Sequence, residues 1–219
     1  MSDDADRAAL LTALTTEHFV LQTANSGTIS EAVGRSTLYV MALSSALVAM
    51  GLASRSRDVL VPFVATVLPA LFVLGLLTTV RLIDTALESQ QYLVAIARIR
   101  AHYRTLAPGA AQLFAPERGR WPEAGGSPAL GLGTLVAFLG TSATTVAVIN
   151  ALVAGAGVTL LARDRLGEQR TTLALTLGVA TALLLTLGFY RFQRWRFAHF
   201  EPTLAWERER DGAPNDVRA

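Results

Sequence analysis

Between Pro128 and Arg163 the chain carries no charge, yet this stretch holds a set of hydroxyls and one amide. Plotted at about 100° per residue, Thr134, Thr141, Thr144 and Thr145 gather on one side of a helix, and Asn150 falls roughly opposite among Ala143, Ala147 and Ala154. In an apolar setting such side chains do two kinds of chemistry. They hydrogen-bond one helix to another, or they line a wet pore in an oligomer; the first is the commoner use. Asn150 in particular demands a partner, because a buried amide left without one is costly.

Other chemistry finds little to work with. His18, His102 and His199 are scattered over three elements, so a metal site would need the parts outside the membrane to converge. No HExxH zinc spacing, GxSxG elbow or Walker motif occurs, and the glycine pair Gly155 and Gly157 has no GxGxxG context and reads as helix-end flexibility. The absence of cysteine excludes disulfides, thiolate metal sites and a Cys nucleophile. The long uncharged runs hold no ionisable group at depth, which argues against proton relays, ion-coupled transport and voltage sensing. The expectation is a protein that is not an enzyme and takes no cofactor or metal.

The elements that must position these residues are membrane helices. Of 219 residues, 52% are hydrophobic and 16% charged, and the mean hydropathy is +0.41, values ordinary for a membrane bundle. Every basic residue is Arg, and the net charge of +2 is too weak to argue for nucleic acid. The acidic start MSDDAD lacks the features of a signal peptide, so a retained, cytoplasmic N-terminus is expected.

Residues 1–27 form an amphipathic cytoplasmic helix on the spacing of Leu10, Leu11, Leu14, His18 and Leu21, free to lie on the bilayer or pack on another helix. Asn25, Ser26 and Gly27 are expected to break it, with Thr28 to Glu31 as a capping box for the next helix. Residues 28–83 hold the first two transmembrane helices. The first carries Ala42, Ala46 and Ser45, Ala49, Ala53 at the intervals of four that allow close approach. The second starts at the N-cap Asp58, tolerates Pro62 in its first turn and is expected to kink at Pro69.

No breaker follows Pro69 until Pro108, so the second helix should run on past the membrane to about Leu106 as a cytoplasmic stalk. From Asp58 that is roughly 70 Å of helix, of which about 30 Å fits the hydrocarbon core. Tyr92, Ile96, Ile99, Tyr103 and Leu106 make one apolar stripe on the stalk, an assembly surface facing the N-terminal helix, another subunit or the membrane. The stalk and a Pro/Gly-rich loop, anchored by Leu113, Phe114 and Trp121, occupy 84–128.

Residues 129–190 supply the third helix, near Thr134 to Ala156, and the fourth, Thr171 to Tyr190, with Ala174, Gly178 and Ala182 at the close-packing interval. Residues 191–219 leave the membrane through an interfacial belt anchored by Arg191, Arg194, Trp195 and Arg196 and end in a charged tail. The fold class is an all-α membrane protein: four transmembrane helices, a long second helix extending into the cytoplasm, and an N-terminal amphipathic helix. Both termini are expected in the cytoplasm of a cell-membrane protein. Fourteen of the nineteen arginines then share the cytoplasmic side, against five in two short outer turns.

The segment EHFVLQTANSGTISEAVGRSTLYVMALSSALVA resembles uncharacterised small multi-pass membrane proteins of actinobacteria, a likeness that covers the N-terminal helix and first span and implies no activity. Three function classes follow from the residues. A self-associating, channel-like homo-oligomer in the lipid bilayer is favoured by the uncharged bundle and the threonine row. A scaffold or regulatory subunit presenting its stalk to a protein partner is the alternative. An integral membrane enzyme is the weakest, for want of clustered acids, bases or nucleophiles.

Overall fold

A computed structural model describes residues 2–107, 109–114 and 140–210, and among these every regular element is helical. Helix α1 spans Ser2–Ala53, α2 Arg57–Tyr103, α3 the single turn Ala110–Leu113, α4 Ser142–Leu166 and α5 Thr171–Arg210, with a 3-10 turn at Glu168–Arg170 leading into α5. Four of them, α1, α2, α4 and α5, are long and apolar enough to cross a membrane.

Helix α2 is unbroken from Arg57 to Tyr103, as its lack of breakers requires. Pro62 and Pro69 both lie inside it on its exposed face, and the helix stays continuous through them. Ser56, rather than Asp58, precedes its first turn: the Val59 and Leu60 amides donate to the Ser56 carbonyl at 3.2 and 2.9 Å. Asp58 instead sits inside the first turn, where its charge faces the positive end of the helix dipole.

Helix α1 differs from expectation. It passes through Asn25, Ser26 and Gly27 without a break, and Thr28 does not cap a new helix. The Thr28 hydroxyl donates backward to the Asn25 carbonyl at 2.7 Å, and the Ser30 hydroxyl to that of Ser26 at 3.1 Å. The local turn signals are outweighed by tertiary contact. Asn25 accepts at Oδ1 from the Ser89 hydroxyl of α2 at 2.7 Å, so its side chain is committed to the neighbouring helix rather than to a turn, and Thr28 is buried with its hydroxyl bonded inside α1.

The third apolar helix also starts later than expected. Thr134 lies outside the described residues, as do the Ser127-Pro128 cap and Trp121. Gly140 is a turn, and Thr141 is the N-cap, its hydroxyl accepting from the Thr144 amide at 3.2 Å. The helix then continues to Leu166, so Gly155 and Gly157 lie in its interior. Gly167, at φ +81°, closes it through a hydrogen bond to the Arg163 carbonyl at 3.1 Å. In the segment expected as a loop, α3 adds one helical turn; Phe114 packs inward, but Leu113 is exposed and anchors nothing.

Contacts divide the chain into two units. The first contains α1 up to Glu31, α2 from Asp84, and α3. There α1 turns Leu11, Leu14, His18, Leu21, Asn25 and Thr28 inward, while Leu10 is exposed; α2 turns inward Thr85, Ser89, Tyr92, Ile96, Ile99 and Tyr103. Both sets alternate steps of three and four, the interval of a left-handed coiled-coil seam. The second unit contains α1 from Ala32, α2 up to Ile83, α4 and α5. Its core is built from Tyr39, Leu43 and Ala53 of α1, Val64, Leu68 and Leu71 of α2, the alanine face of α4 and Ala174 of α5. Small residues line the contact between α4 and α5, and large ones such as Leu47, Leu152 and Leu184 are exposed, an arrangement suited to lipid.

Candidate functional site

In the second unit, Asn150 is 4% exposed and sits where three helices meet. Its Oδ1 accepts from the Tyr39 hydroxyl of α1 at 3.2 Å, and its Nδ2 donates to the Phe72 carbonyl of α2 at 3.0 Å. Gly75, one turn beyond Leu71 on the inward row of α2, makes this possible: a Cβ there would collide with the Asn150 amide. The amide thus ties α1 to α2 through α4, and Tyr39 and Gly75 complete a site of which only Asn150 was apparent beforehand.

The threonine row divides. Thr144 is buried and donates from its hydroxyl to Gln193 Oε1 on α5 at 3.1 Å; Gln193 Nε2 donates back to the Thr141 hydroxyl at 3.4 Å, and the two threonine hydroxyls lie 2.9 Å apart. Gln193 is only 1% exposed. Thr145 is exposed and bonds its hydroxyl to the Thr141 carbonyl at 3.2 Å. Gln193 escaped the sequence reading because it stands within the arginine-aromatic run that ends the last span. Its being the one uncharged amide in that run was the available signal.

Glycine positions α4 against α5. A Cβ at Gly155 would lie 2.6 Å from the Gly178 carbonyl oxygen and 3.0 Å from Ala182 Cβ, and one at Gly178 would strike the Thr159 hydroxyl. Gly157 approaches Leu68 of α2 in the same way, its built Cβ 3.2 Å from Leu68 Cδ1. Gly155 and Gly157 are therefore sites of helix contact, not loosened ends: the Gly178 carbonyl leaves no room for a side chain at Gly155, and at Gly157 the end of Leu68 would have to give. Gly178 and Ala182 act as their spacing implied, while Ala174 is fully buried.

In the first unit the α2 stripe is covered within the chain. Ile96 is 1% and Ile99 7% exposed; Tyr92, Tyr103 and Leu106 are half-buried. The Tyr103 ring lies 6.4 Å from His18 of α1 and 5.4 Å from Phe114, and Arg7 donates to the Leu106 carbonyl at 3.3 Å. Arg98 and His102 are exposed, away from the stripe. His18 Nδ1 is buried and has no hydrogen-bond partner among the described residues. Burial, and then the Arg100 charge, lower the His18 pKa from its usual 6.5, so the neutral ring is favoured.

At the α5 exit Arg191, Arg194 and Trp195 are exposed and Arg196 is half-buried. The Arg194 guanidinium lies 5.9 Å from the centre of the Tyr190 ring, and the Trp195 and His199 rings are 4.6 Å apart. A 53% exposed Trp beside arginines has the amphipathic character of an interfacial anchor.

Taken together, the site is a set of polar ties inside a small-residue helix bundle. Such ties fix helix register and orientation. No protein-family model, curated protein or solved structure matches the chain.

Proposed function

We propose that the chain is a non-enzymatic integral membrane protein of the scaffold or regulatory-subunit kind, its four apolar helices crossing the cell membrane and its first unit standing in the cytoplasm. The observation that carries this reading is the unbroken α2, whose apolar first half continues into a seam that receives the N-terminal part of α1. At 47 residues it is about 70 Å long, more than twice the roughly 30 Å hydrocarbon core. A helix of this kind carries a surface away from the bilayer. Phe19 and Val20, on the outer face of α1, leave apolar area there for a protein partner.

The self-associating pore is the second reading, and it draws less support. Thr141, Thr144 and Asn150 direct their polar atoms to groups of the same chain, and among the described residues of the row Thr145 is the exposed one. A photo-cross-linking residue at Phe19 in living cells separates the two. Adducts with one different protein, lost on Val20→Glu, support the scaffold. Adducts only with further copies of the chain, together with conductance in planar bilayers, favour the pore.

A further inference from the structure

We infer that the second unit holds one membrane phospholipid at a built site, its acyl chain in a trough formed by α1, α2 and α4, and its headgroup at the adjoining charged end of α2 and α4. The inference rests on the membrane reading and adds to it a ligand class. Two cavities carry it. The first, of about 230 Å³, has an almost wholly apolar lining: it includes buried Leu43, Leu68 and Leu71 and exposed Leu47 and Leu152. The second, of about 280 Å³, lies at the helix ends among Arg57, Arg163, Asp164 and Glu168, with Leu60 and Val64 below them. Leu160 lines both, so the charged mouth and the apolar trough adjoin at that side chain. Neither cavity alone matches a drug-sized pocket, whereas a chain molecule passing Leu160 uses the two in series.

The mouth also discriminates among headgroups. Arg57 Nε donates to Asp164 Oδ1 at 3.0 Å, and Arg163 lies 3.6 Å from Glu168 Oε1, so two ion pairs line one opening. That arrangement complements a headgroup carrying both a phosphate and a primary ammonium: the phosphate toward the arginines, the ammonium toward the carboxylates. A purely anionic headgroup that took the arginines would strip Asp164 and Glu168 of the partners they already have and supply none in return, whereas an added ammonium replaces them. The occupant is therefore of the phosphatidylethanolamine type.

The experiment uses the full chain in nanodiscs containing equal phosphatidylethanolamine and phosphatidylglycerol of matched acyl chains, followed by native mass spectrometry of lipid retained on release. One retained phosphatidylethanolamine is expected. Ala156→Phe, which fills the trough, should reduce retention about tenfold, the equivalent of losing a small part of the chain's apolar burial. Asp164→Asn with Glu168→Gln, at the surface, should abolish the preference between the two lipids while leaving a lipid bound; this variant decides the matter if Ala156→Phe fails to fold. Unchanged retention in Ala156→Phe, equal retention of both lipids by the wild type, or a second copy of the chain cross-linked through Leu152 would overturn the inference. Extraction of the wild type by alkaline carbonate would instead sink the membrane reading itself.

Discussion

Asn150 and Gly75 show how one polar residue at depth depends on one small residue opposite. The amide needs both partners, the Tyr39 hydroxyl and the Phe72 carbonyl, and it reaches the latter only because Gly75 has no side chain. Gly75→Ala should destabilise the bundle by about 1–3 kcal/mol through overpacking, and Asn150→Ala by about 1–2 kcal/mol through lost hydrogen bonds. The double variant should cost clearly less than the sum, since removing the amide vacates the space the new methyl occupies. Thermal unfolding in detergent, arranged as a double-mutant cycle, measures this; strict additivity would mean the two residues do not meet.

His18 gives a second prediction at the same scale. Its folded pKa lies below the unfolded value of 6.5, because burial and then Arg100 oppose the charged ring. Packing of the first unit is therefore undiminished above pH 6.5, and weakens as pH falls through that value toward the lowered folded pKa, where the ring must charge in both states. Protease protection of the N-terminal part of α1 should decline over this window in wild type. In His18→Leu, which keeps an apolar group at the seam, the His18 component of that decline should vanish.

The elements were legible wherever a long uncharged run or an absence of breakers decided them. The four apolar helices and the continuity of α2 follow from residues alone, since nothing between Pro69 and Pro108 competes with the helix. Helix α1 was not legible at Asn25 to Gly27, because those residues signal a turn in isolation and their commitment to Ser89 appears only when α2 lies beside them. Gly155 and Gly157 misled for the same reason: a glycine that loosens a helix end and one that admits a neighbour look alike in sequence. The stripe was visible, its cover was not. With Ile96 and Ile99 buried inside one chain, Ile96→Asp together with Ile99→Asp should detach the α1 segment from α2. Each buried side chain contributes roughly 1.5–3 kcal/mol, and burying a carboxylate there costs more still. Limited proteolysis before residue 31 should accelerate sharply while membrane insertion, which uses other residues, is unchanged; equal protection in the double variant would show that the seam is not what holds α1.

At the scale of the whole molecule the question is which way it faces. The two tight connections, Ser54 to Ser56 and Gly167 to Arg170, lie at the same ends of the helices they join, as an up-down bundle requires, and Arg57 of one pairs with Asp164 beside the other. Five arginines lie near those turns. In the proposed four-span topology fourteen arginines of the sequence belong to the segments on the side of the termini, against five in the two short turns, and this bias favours that side as the cytoplasmic one. Single cysteines test this directly in a chain that has none of its own. Gly167 is a poor position, because its φ of +81° would strain any side chain, whereas Ser56 and Gln169 are exposed and unconstrained. Ser56→Cys and Gln169→Cys should react with an impermeant thiol reagent added to intact cells, and Ala213→Cys only after the cells are opened. Labelling of Ala213→Cys alone in intact cells would invert the orientation and place the first unit outside.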